Sequence, residues 1–570
     1  VRDWDETAGG ESGHIVAKPD DPDVVYGGSY GGYLTMVNHR TGETRDLNVW
    51  PDNPMGHGAE GATERFQWNY PLLFSPHDAN TLYAASQHLW KTTNGGVSWT
   101  RISGDLTRNE KSKMGPSGGP ITKDNTSVEY YGTIFAVAES ALEPGVIWTG
   151  SDDGLVHVTR DGGATWKNVT PAAMPQWLMI NSIDPSPFDK GTAYIAGTMY
   201  KSDDFRPYLY KTSDYGATWT KITNGIPADH FTRVVRSDRK RKGLLYAGTE
   251  RGMYVSFDDG TSWQSLQLNL PIVPITDLAL RDDDLIAATQ GRGFWILDDV
   301  TPLQQPRKPL LEPRPAWRTG GSTPEKPPQG VGKNPPQGII VNYWLPADVK
   351  PGTAIKLAFL DATGTLIREF NGTTGSQPVE KKEDESEEEE KARKEREKNK
   401  LIPDPQPGLN RFAWNLRYPE AKKFEGLILW GGGTDGPRVV PGTYTVRLTI
   451  GEETHSAAAV VKQDPRTSAT QADLQAQFDL LLAINRKLSE THEQIERVRA
   501  VRAQLKNLKS SKDAKVADAA KELDRKMTAI EEALYQTKNR SPQDPLNFPI
   551  RLNDKLANVA SSVAYGDSAP

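Results

Sequence analysis

One short motif occurs four times in the sequence and restricts the possible folds more than any other feature. Its form is Ser/Thr-x-Asp/Asn-x-Gly-x-x-Trp, and its copies are residues 92–99, 159–166, 212–219 and 256–263. Catalytic residues usually converge once per chain, whereas a motif that returns at intervals of roughly 40 to 70 residues marks a repeated structural unit. We therefore interpret the motif as part of a repeated fold.

The residue types of the motif suit a tight turn between two strands. Asp or Asn can bond the backbone two residues further on, and Gly adopts the positive φ that the returning strand requires. The Trp that follows can bury its ring against neighbouring strands. A folding role is therefore predicted for the acidic, amide and indole side chains of the four copies: Asn94, Trp99, Asp161, Trp166, Asp214, Trp219, Asp258 and Trp263.

Runs of β-branched and aromatic residues surround each motif and predict a four-stranded antiparallel unit. The complete plan is clearest in residues 132–140, 146–153, 154–161 and 165–170. Two units are incomplete, because residues 14–49 lack the Trp and residues 275–298 end after the third strand. Residues 1–301 are therefore predicted to form a β-propeller of six to seven blades.

The four turns resemble the Asp boxes, or BNR repeats, of sialidases, sortilin-type receptors and two-propeller xyloglucanases. The segments "DDFRPYLYKTSDYGATW" and "ATQGRGFWILDDVTPL" also resemble bacterial proteins described as BNR-repeat glycosyl hydrolases or sortilin-like proteins. That family has a further propeller upstream. Residues 3–7, "DWDET", look like a Trp-led fourth strand. Either this strand closes the ring, or an upstream propeller fragment of the same precursor, which we predict as a partner, completes it.

The sequence after the propeller changes character three times. Residues 302–338 are rich in Pro and Gly and predict an extended linker. Residues 339–465 alternate apolar and polar positions between Pro/Gly turns and predict an Ig-like β-sandwich, interrupted by a charged insertion at 380–400. Residues 466–570 follow the three-four spacing of apolar residues that is typical of helices and predict an α-helical hairpin or bundle.

Composition excludes several classes of function. The net charge of −6 and the pI near 6.0 argue against a nucleic-acid partner. The sequence has no cysteine, which excludes thiol nucleophiles and Cys-based zinc sites, and no run of about 18 apolar residues that would span a membrane. No cofactor and no metal site are predicted.

The order of the strands assigns the loops to two faces of the propeller. The turns between second and third strands and the links between blades lie on one face, and the turn motifs lie on the other. Two links, residues 51–69 and 104–131, are long enough to build a binding surface. On this entrance face we predict aromatic and cationic ligand contacts: Trp68, Tyr130, Tyr131, Arg206, Arg251 and Arg292.

Catalysis on the same face is the alternative. A glycosidase needs two carboxylates at a defined separation, and Asp152, Asp153 and Glu250 are candidates by position. A sialidase-like site would use the arginines with Tyr130, but the Phe/Tyr-Arg-Ile/Leu-Pro signature is absent. We therefore interpret the chain as a secreted or periplasmic bacterial binding protein for a peptide, protein or glycan, with a glycoside hydrolase as the alternative.

Overall fold

A computed structural model describes residues 6–566, apart from residues 12, 54, 127–129, 320–331, 333, 376–401 and 403–404. The chain divides into two compact units, residues 1–300 and 301–570. Most of the segment "DWDET" and the charged insertion at 380–400 lie outside the described residues.

The first unit consists of five four-stranded antiparallel sheets and one sheet with three described strands. Sheet by sheet, the strands are β1 (Ile15–Lys18), β2 (Asp21–Gly28), β3 (Leu34–Asn38), β4 (Glu43–Asp46); β5 (Leu72–Phe74), β6 (Leu82–Ala85), β7 (Leu89–Thr92), β8 (Thr100–Arg101); β9 (Ile134–Glu139), β10 (Ile147–Ser151), β11 (Val156–Thr159), β12 (Lys167–Asn168); β13 (Met179–Pro185), β14 (Ala193–Met199), β15 (Asp204–Thr212), β16 (Thr220–Lys221); β17 (Thr232–Ser237), β18 (Leu245–Thr249), β19 (Gly252–Ser256), β20 (Gln264–Ser265); β21 (Ile275–Arg281), β22 (Asp284–Thr289) and β23 (Phe294–Leu297).

Each sheet is a meander in which consecutive strands pair, and this arrangement confirms the predicted propeller. The first strands of successive sheets lie next to one another, from β1 through β5, β9, β13 and β17 to β21. Second strands such as β10 and β18 are buried along their whole length, because a neighbouring sheet packs on each of their faces.

The turn motifs connect third and fourth strands. In residues 159–166 the Thr159 hydroxyl donates to Asp161 Oδ1 at 2.7 Å, and the Thr165 amide and hydroxyl donate to the two oxygens of Asp161 at 2.9 and 2.6 Å. Gly162 and Gly163 have φ values of 71° and 102°, which only glycine adopts without strain. The motif is therefore a closed network of local hydrogen bonds.

The tryptophan of each motif connects its sheet to the preceding one. Its indole Nε1 donates to a backbone carbonyl next to the preceding sheet. The four bonds run from Trp99 to Leu47 O at 3.2 Å, from Trp166 to Ile102 O at 2.9 Å, from Trp219 to Val169 O at 2.7 Å and from Trp263 to Ile222 O at 2.7 Å. In the last three bonds the acceptor lies three residues after the tryptophan of the preceding motif. The repeat therefore fixes how adjacent blades pack as well as how each blade turns.

The described residues of the second unit form two sheets and a group of helices. A five-stranded sheet has the order β24-β30-β29-β26-β27, and a second sheet pairs β25 with β28. The strands are β24 (Ala316–Arg318), β25 (Ile339–Leu345), β26 (Ala354–Leu360), β27 (Leu366–Thr373), β28 (Gly408–Trp414), β29 (Gly442–Ile450) and β30 (Glu453–Gln463). Both sheets contribute to one core, in which the rings of Phe359 and Trp414 stack at 4.3 Å. The Ig-like assignment of this sandwich stays a prediction.

The predicted linker differs from what the structure contains. Residues 316–318 form β24, a parallel edge strand on β30, and Leu310 and Leu311 are buried. Apolar residues between the prolines explain the difference, because they supply side chains that the core can bury. The first part of this segment thus belongs to the second unit.

The helices in the described part of the chain are α1 (Thr301–Gln304), α2 (Gln471–Leu508), α3 (Ala514–Leu534) and α4 (Leu552–Val563), which confirms a helical C-terminal region. A capping box begins α2, since the Asp473 amide donates to Thr470 Oγ1 and the Thr470 amide to Asp473. Leu474, Leu488 and Ile495 form its buried face. In the described part of the chain, no helix combines the length and the apolar character that crossing a membrane requires.

Candidate functional site

One edge of the propeller sheets carries an aromatic cavity of about 390 Å³. Its lining includes the aromatic residues Trp68, Tyr130 and Tyr131 on the entrance face, together with Asp152 and Trp177. Asp152 follows β10, in a turn between second and third strands, whereas the Asp boxes follow third strands. In an antiparallel meander these two positions are at opposite ends, so the cavity and the boxes lie on opposite faces.

Buried polar contacts fix the two long links that border the cavity. The guanidinium of Arg65 donates to Gly132 O at 3.0 Å and to Asp105 Oδ2 at 2.9 Å. Glu64 accepts from Ser86 Oγ at 2.6 Å and lies 2.9 Å from His88 Nδ1. Arg65 and Asp105 are on different links, so their ion pair holds the links together. These residues were not predicted, because only the fold brings them near each other.

Asp152 is a buried carboxyl group with a perturbed pKa. It accepts hydrogen bonds from the Gly132 amide at 3.0 Å, the Thr133 amide at 2.9 Å and the Thr133 hydroxyl at 2.8 Å. These bonds favour the ionised form, but burial has the larger effect and raises the pKa of Asp152 to about 7. Asp152 can therefore carry or release a proton near neutral pH.

Asp153 is adjacent in sequence but has different partners. Its carboxylate accepts from the Arg108 amide at 2.8 Å and the Ser151 hydroxyl at 2.5 Å. Burial raises the pKa of Asp153 as well, against the effect of these hydrogen bonds. Asp153 does not line the cavity. Because it accepts from the Arg108 amide, it anchors the link that contains Arg108.

Trp177 is a cavity residue that the sequence did not reveal. Its ring stacks on Tyr131 with centroids 6.1 Å apart and planes inclined by 30°. Arg108 lies over the same ring at 4.7 Å and Lys113 at 5.7 Å. Trp177 has a φ of 67°, a rare backbone conformation for a bulky residue that often accompanies functional sites. No sequence motif marks it, since it lies in the link before β13.

The three predicted arginines do not line this cavity. Arg206 donates to both oxygens of Asp204, at 2.9 and 2.6 Å. Arg251 lies 3.4 Å from Asp229, and Arg292 donates to the carbonyl of Gly291. The structure therefore brings together the three aromatic residues but not the arginines, and the cations beside the cavity are Arg108, Lys113 and Lys201.

Glu250 is also outside the cavity lining. It accepts two hydrogen bonds from Arg233, from Nε at 2.9 Å and from Nη2 at 2.7 Å. Asp152 is thus the one carboxyl group among the described residues that line the cavity. The described residues likewise contain no group of three or more His, Asp or Glu side chains placed to hold a metal ion.

A small apolar groove lies between the fifth and sixth sheets. Leu266, Leu268, Leu270, Trp295 and Leu297 line it. Leu266 lies three residues after Trp263. In the preceding sheets, the residue at this position accepts the indole N–H of the next motif's tryptophan, as Ile222 does from Trp263. The groove is therefore where the tryptophan of a next Asp box would pack.

Residues 154–290 match the family model Sortilin-Vps10, described as "Sortilin, neurotensin receptor 3". Together with the four turn motifs and their geometry, this match supports an Asp-box (BNR) repeat propeller in the first unit of the chain. No curated protein sequence matches the chain.

Solved structures of propeller proteins are similar to the chain at low identity. One is an ancestral GH74 enzyme, with 19% identity, a TM-score of 0.31 and coverage of 57% of this chain and 40% of that one. The GH74 xyloglucanase from Xanthomonas campestris has 14% identity and a TM-score of 0.35, covering 80% and 88%. YCF48 bound to D1 peptide has 14% identity and a TM-score of 0.32, covering 50% and 81%. The chain thus spans less than half of the first of these proteins.

Proposed function

We propose that the propeller is a binding module and that its aromatic cavity holds a side chain of a peptide or protein, or a sugar ring of a glycan. The observation that carries this proposal is the composition of the cavity, which Trp68, Tyr130, Tyr131 and Trp177 line together with Asp152, the one carboxyl group among its described residues. Rigid aromatic side chains provide large contact areas at low entropic cost, which suits recognition. A bacterial protein with this role would act in the periplasm or outside the cell.

The alternative is a glycoside hydrolase that acts on the same face. Such an enzyme needs a second carboxylate across the substrate from the first. Of the other two candidates, Asp153 bonds to Ser151 and Arg108, and Glu250 bonds to Arg233. The proposal of a binder is favoured because Asp152 has no carboxylate opposite it in the described lining.

Binding and product release measured on the same ligands separate the two functions. The panel consists of sialosides, xyloglucan oligosaccharides and a peptide library, tested on the wild-type chain and on Asp152→Asn. A binder keeps its affinity within about tenfold in Asp152→Asn and releases no product, whereas a hydrolase loses turnover by orders of magnitude while it still binds.

Trp177→Ala and Trp317→Ala form a matched pair for the same assay. Trp317 is a half-exposed tryptophan of the second unit. The proposal expects at least tenfold weaker binding in Trp177→Ala, since stacking on the ring is lost, and unchanged binding in Trp317→Ala. Equal affinities in both variants would contradict the assignment of the cavity.

We also propose that a tryptophan-led strand completes the sixth sheet and fills the groove beside Leu266. Residues 3–7 of this chain and the upstream propeller fragment of the same precursor are the two candidate sources. Exposed strand edges pair readily with further strands.

Trp4→Ala lowers the melting temperature if the chain supplies the strand. If the fragment supplies it, native mass spectrometry of material from the source detects the complex and Trp4→Ala has no effect. An unchanged monomer in both experiments would refute this proposal.

A further inference from the structure

A cavity of about 160 Å³ in the second unit lies between residues 433–438 and the helices α2 and α4. Arg318, Arg417 and Arg438 line it, and Asp435 is the one acidic residue in its described lining. We propose that this cavity binds a small organic anion, namely a carboxylate with a short apolar substituent.

Backbone carbonyl groups orient the three guanidinium groups. Arg318 Nε donates to Val439 O at 3.1 Å, Arg417 Nη1 to Gly436 O at 2.8 Å and Arg438 Nη1 to Thr319 O at 2.5 Å. A guanidinium carries five N–H donors in a planar fork that matches the two oxygens of a carboxylate. The described side-chain bond of Arg417 uses one of its five N–H donors, so this side chain keeps donors for a ligand.

Arg318 and Gln477 are the most buried polar residues of the described lining, at 4% and 1% exposed. Arg318 Nη2 donates to Gln477 Oε1 at 3.2 Å, which fixes both side chains. Charge-assisted hydrogen bonds are stronger where water is excluded. A carboxylate bound to Arg417 in this cavity therefore gains more than it would at a fully exposed arginine.

Apolar side chains also line the cavity and select the rest of the ligand. Leu481, Ile484 and Leu488 of α2 line it, together with Ala560 and Ala564 at the end of α4. A carboxylate with three or four carbon atoms can place its head at the arginines and its chain against these residues. Inorganic phosphate has no apolar part to bury there.

The carboxylate can come from a free ligand or from this chain. Gln477 Nε2 donates to the carbonyl of Gly566 at 3.0 Å, and the next residue in the sequence is Asp567. The side chain of aspartate is itself a short carboxylate. The chemistry that the cavity recognises is the same in both cases, and the experiment separates the sources.

Titration calorimetry with butyrate, at constant ionic strength in chloride, tests the site on the full chain. The variants are Arg417→Gln and a matched control, Arg447→Gln, in which an exposed arginine of β29 is changed. We expect saturable binding of butyrate that is tighter than that of acetate. Binding should weaken at least tenfold in Arg417→Gln, recover partly in Arg417→Lys and remain unchanged in Arg447→Gln.

Asp567→Asn distinguishes the two sources. If Asp567 occupies the cavity, butyrate binds at least tenfold more tightly to Asp567→Asn than to the wild-type chain. If a free ligand occupies it, the two affinities are equal. Absence of saturable binding in both proteins, or equal affinity in Arg417→Gln and Arg447→Gln, would overturn the proposal.

Discussion

Trp263 offers the sharpest test of the idea that the Asp boxes hold the blades together. Its side chain is 5% exposed, it packs with Ile222, Ile226 and Tyr254, and its Nε1 donates to Ile222 O at 2.7 Å. Replacing a buried tryptophan by alanine costs about 3 to 5 kcal/mol in free energy of unfolding. About 1 kcal/mol of this belongs to the hydrogen bond. Trp263→Phe, which keeps most of the ring volume, should therefore lose much less than Trp263→Ala.

Differential scanning calorimetry of the full chain measures this effect. For a unit of this size, each kcal/mol shifts the melting temperature by roughly 2 °C, so Trp263→Ala should lower one transition by about 6 to 10 °C. Trp317→Ala, in the second unit, should leave that transition in place. A shift below about 2 °C, or loss of ligand binding at an unchanged melting temperature, would refute a structural role for the box.

Three further predictions concern glycine and titratable groups of the propeller. Gly162→Ala should cost about 1 kcal/mol for its positive φ alone, whereas Gly163→Ala should cost more in urea unfolding, because its Cβ would lie 2.7 Å from Ile102 O. Hydrogen bonds from Thr165 hold the pKa of Asp161 at about 2, so its stabilising contribution is present above about pH 4 and lost as the pH falls towards 2; Asp161→Asn should remove this pH dependence. Burial raises the pKa of Asp152 to about 7, so between about pH 4 and 7 the folded state binds a proton that the unfolded state has lost. The free energy of unfolding should therefore fall as the pH rises from about 4 to 7, and Asp152→Asn should remove that slope.

The repeat made the propeller predictable, because one local rule recurs and each copy confirms the others. The same rule predicted the turn of Asp161 and the burial of Trp263, but not the bond from each indole to the preceding sheet. That bond depends on how blades pack against each other. The prediction of a linker over residues 302–338 rested on Pro and Gly content alone. It did not take into account the apolar residues in and before β24, which are buried in the structure.

The candidate site was only partly predictable. The strand order placed Trp68, Tyr130 and Tyr131 on one face, and the structure gathers them in one cavity. Local spacing could have revealed that Asp204 neutralises Arg206, whereas the pairing of Glu250 with Arg233 requires the fold. Trp177 was missed because a single tryptophan in a link carries no pattern.

The account depends most on which face of the propeller binds its ligand. Calorimetric titration of the tightest ligand from the glycan and peptide panel against Tyr131→Ala and Trp219→Ala tests this directly, because one variant changes the cavity and the other an Asp box. The account predicts at least tenfold weaker binding in Tyr131→Ala, with Trp219→Ala less stable but unchanged in affinity. Weakened binding in Trp219→Ala with an unaltered affinity in Tyr131→Ala would contradict it.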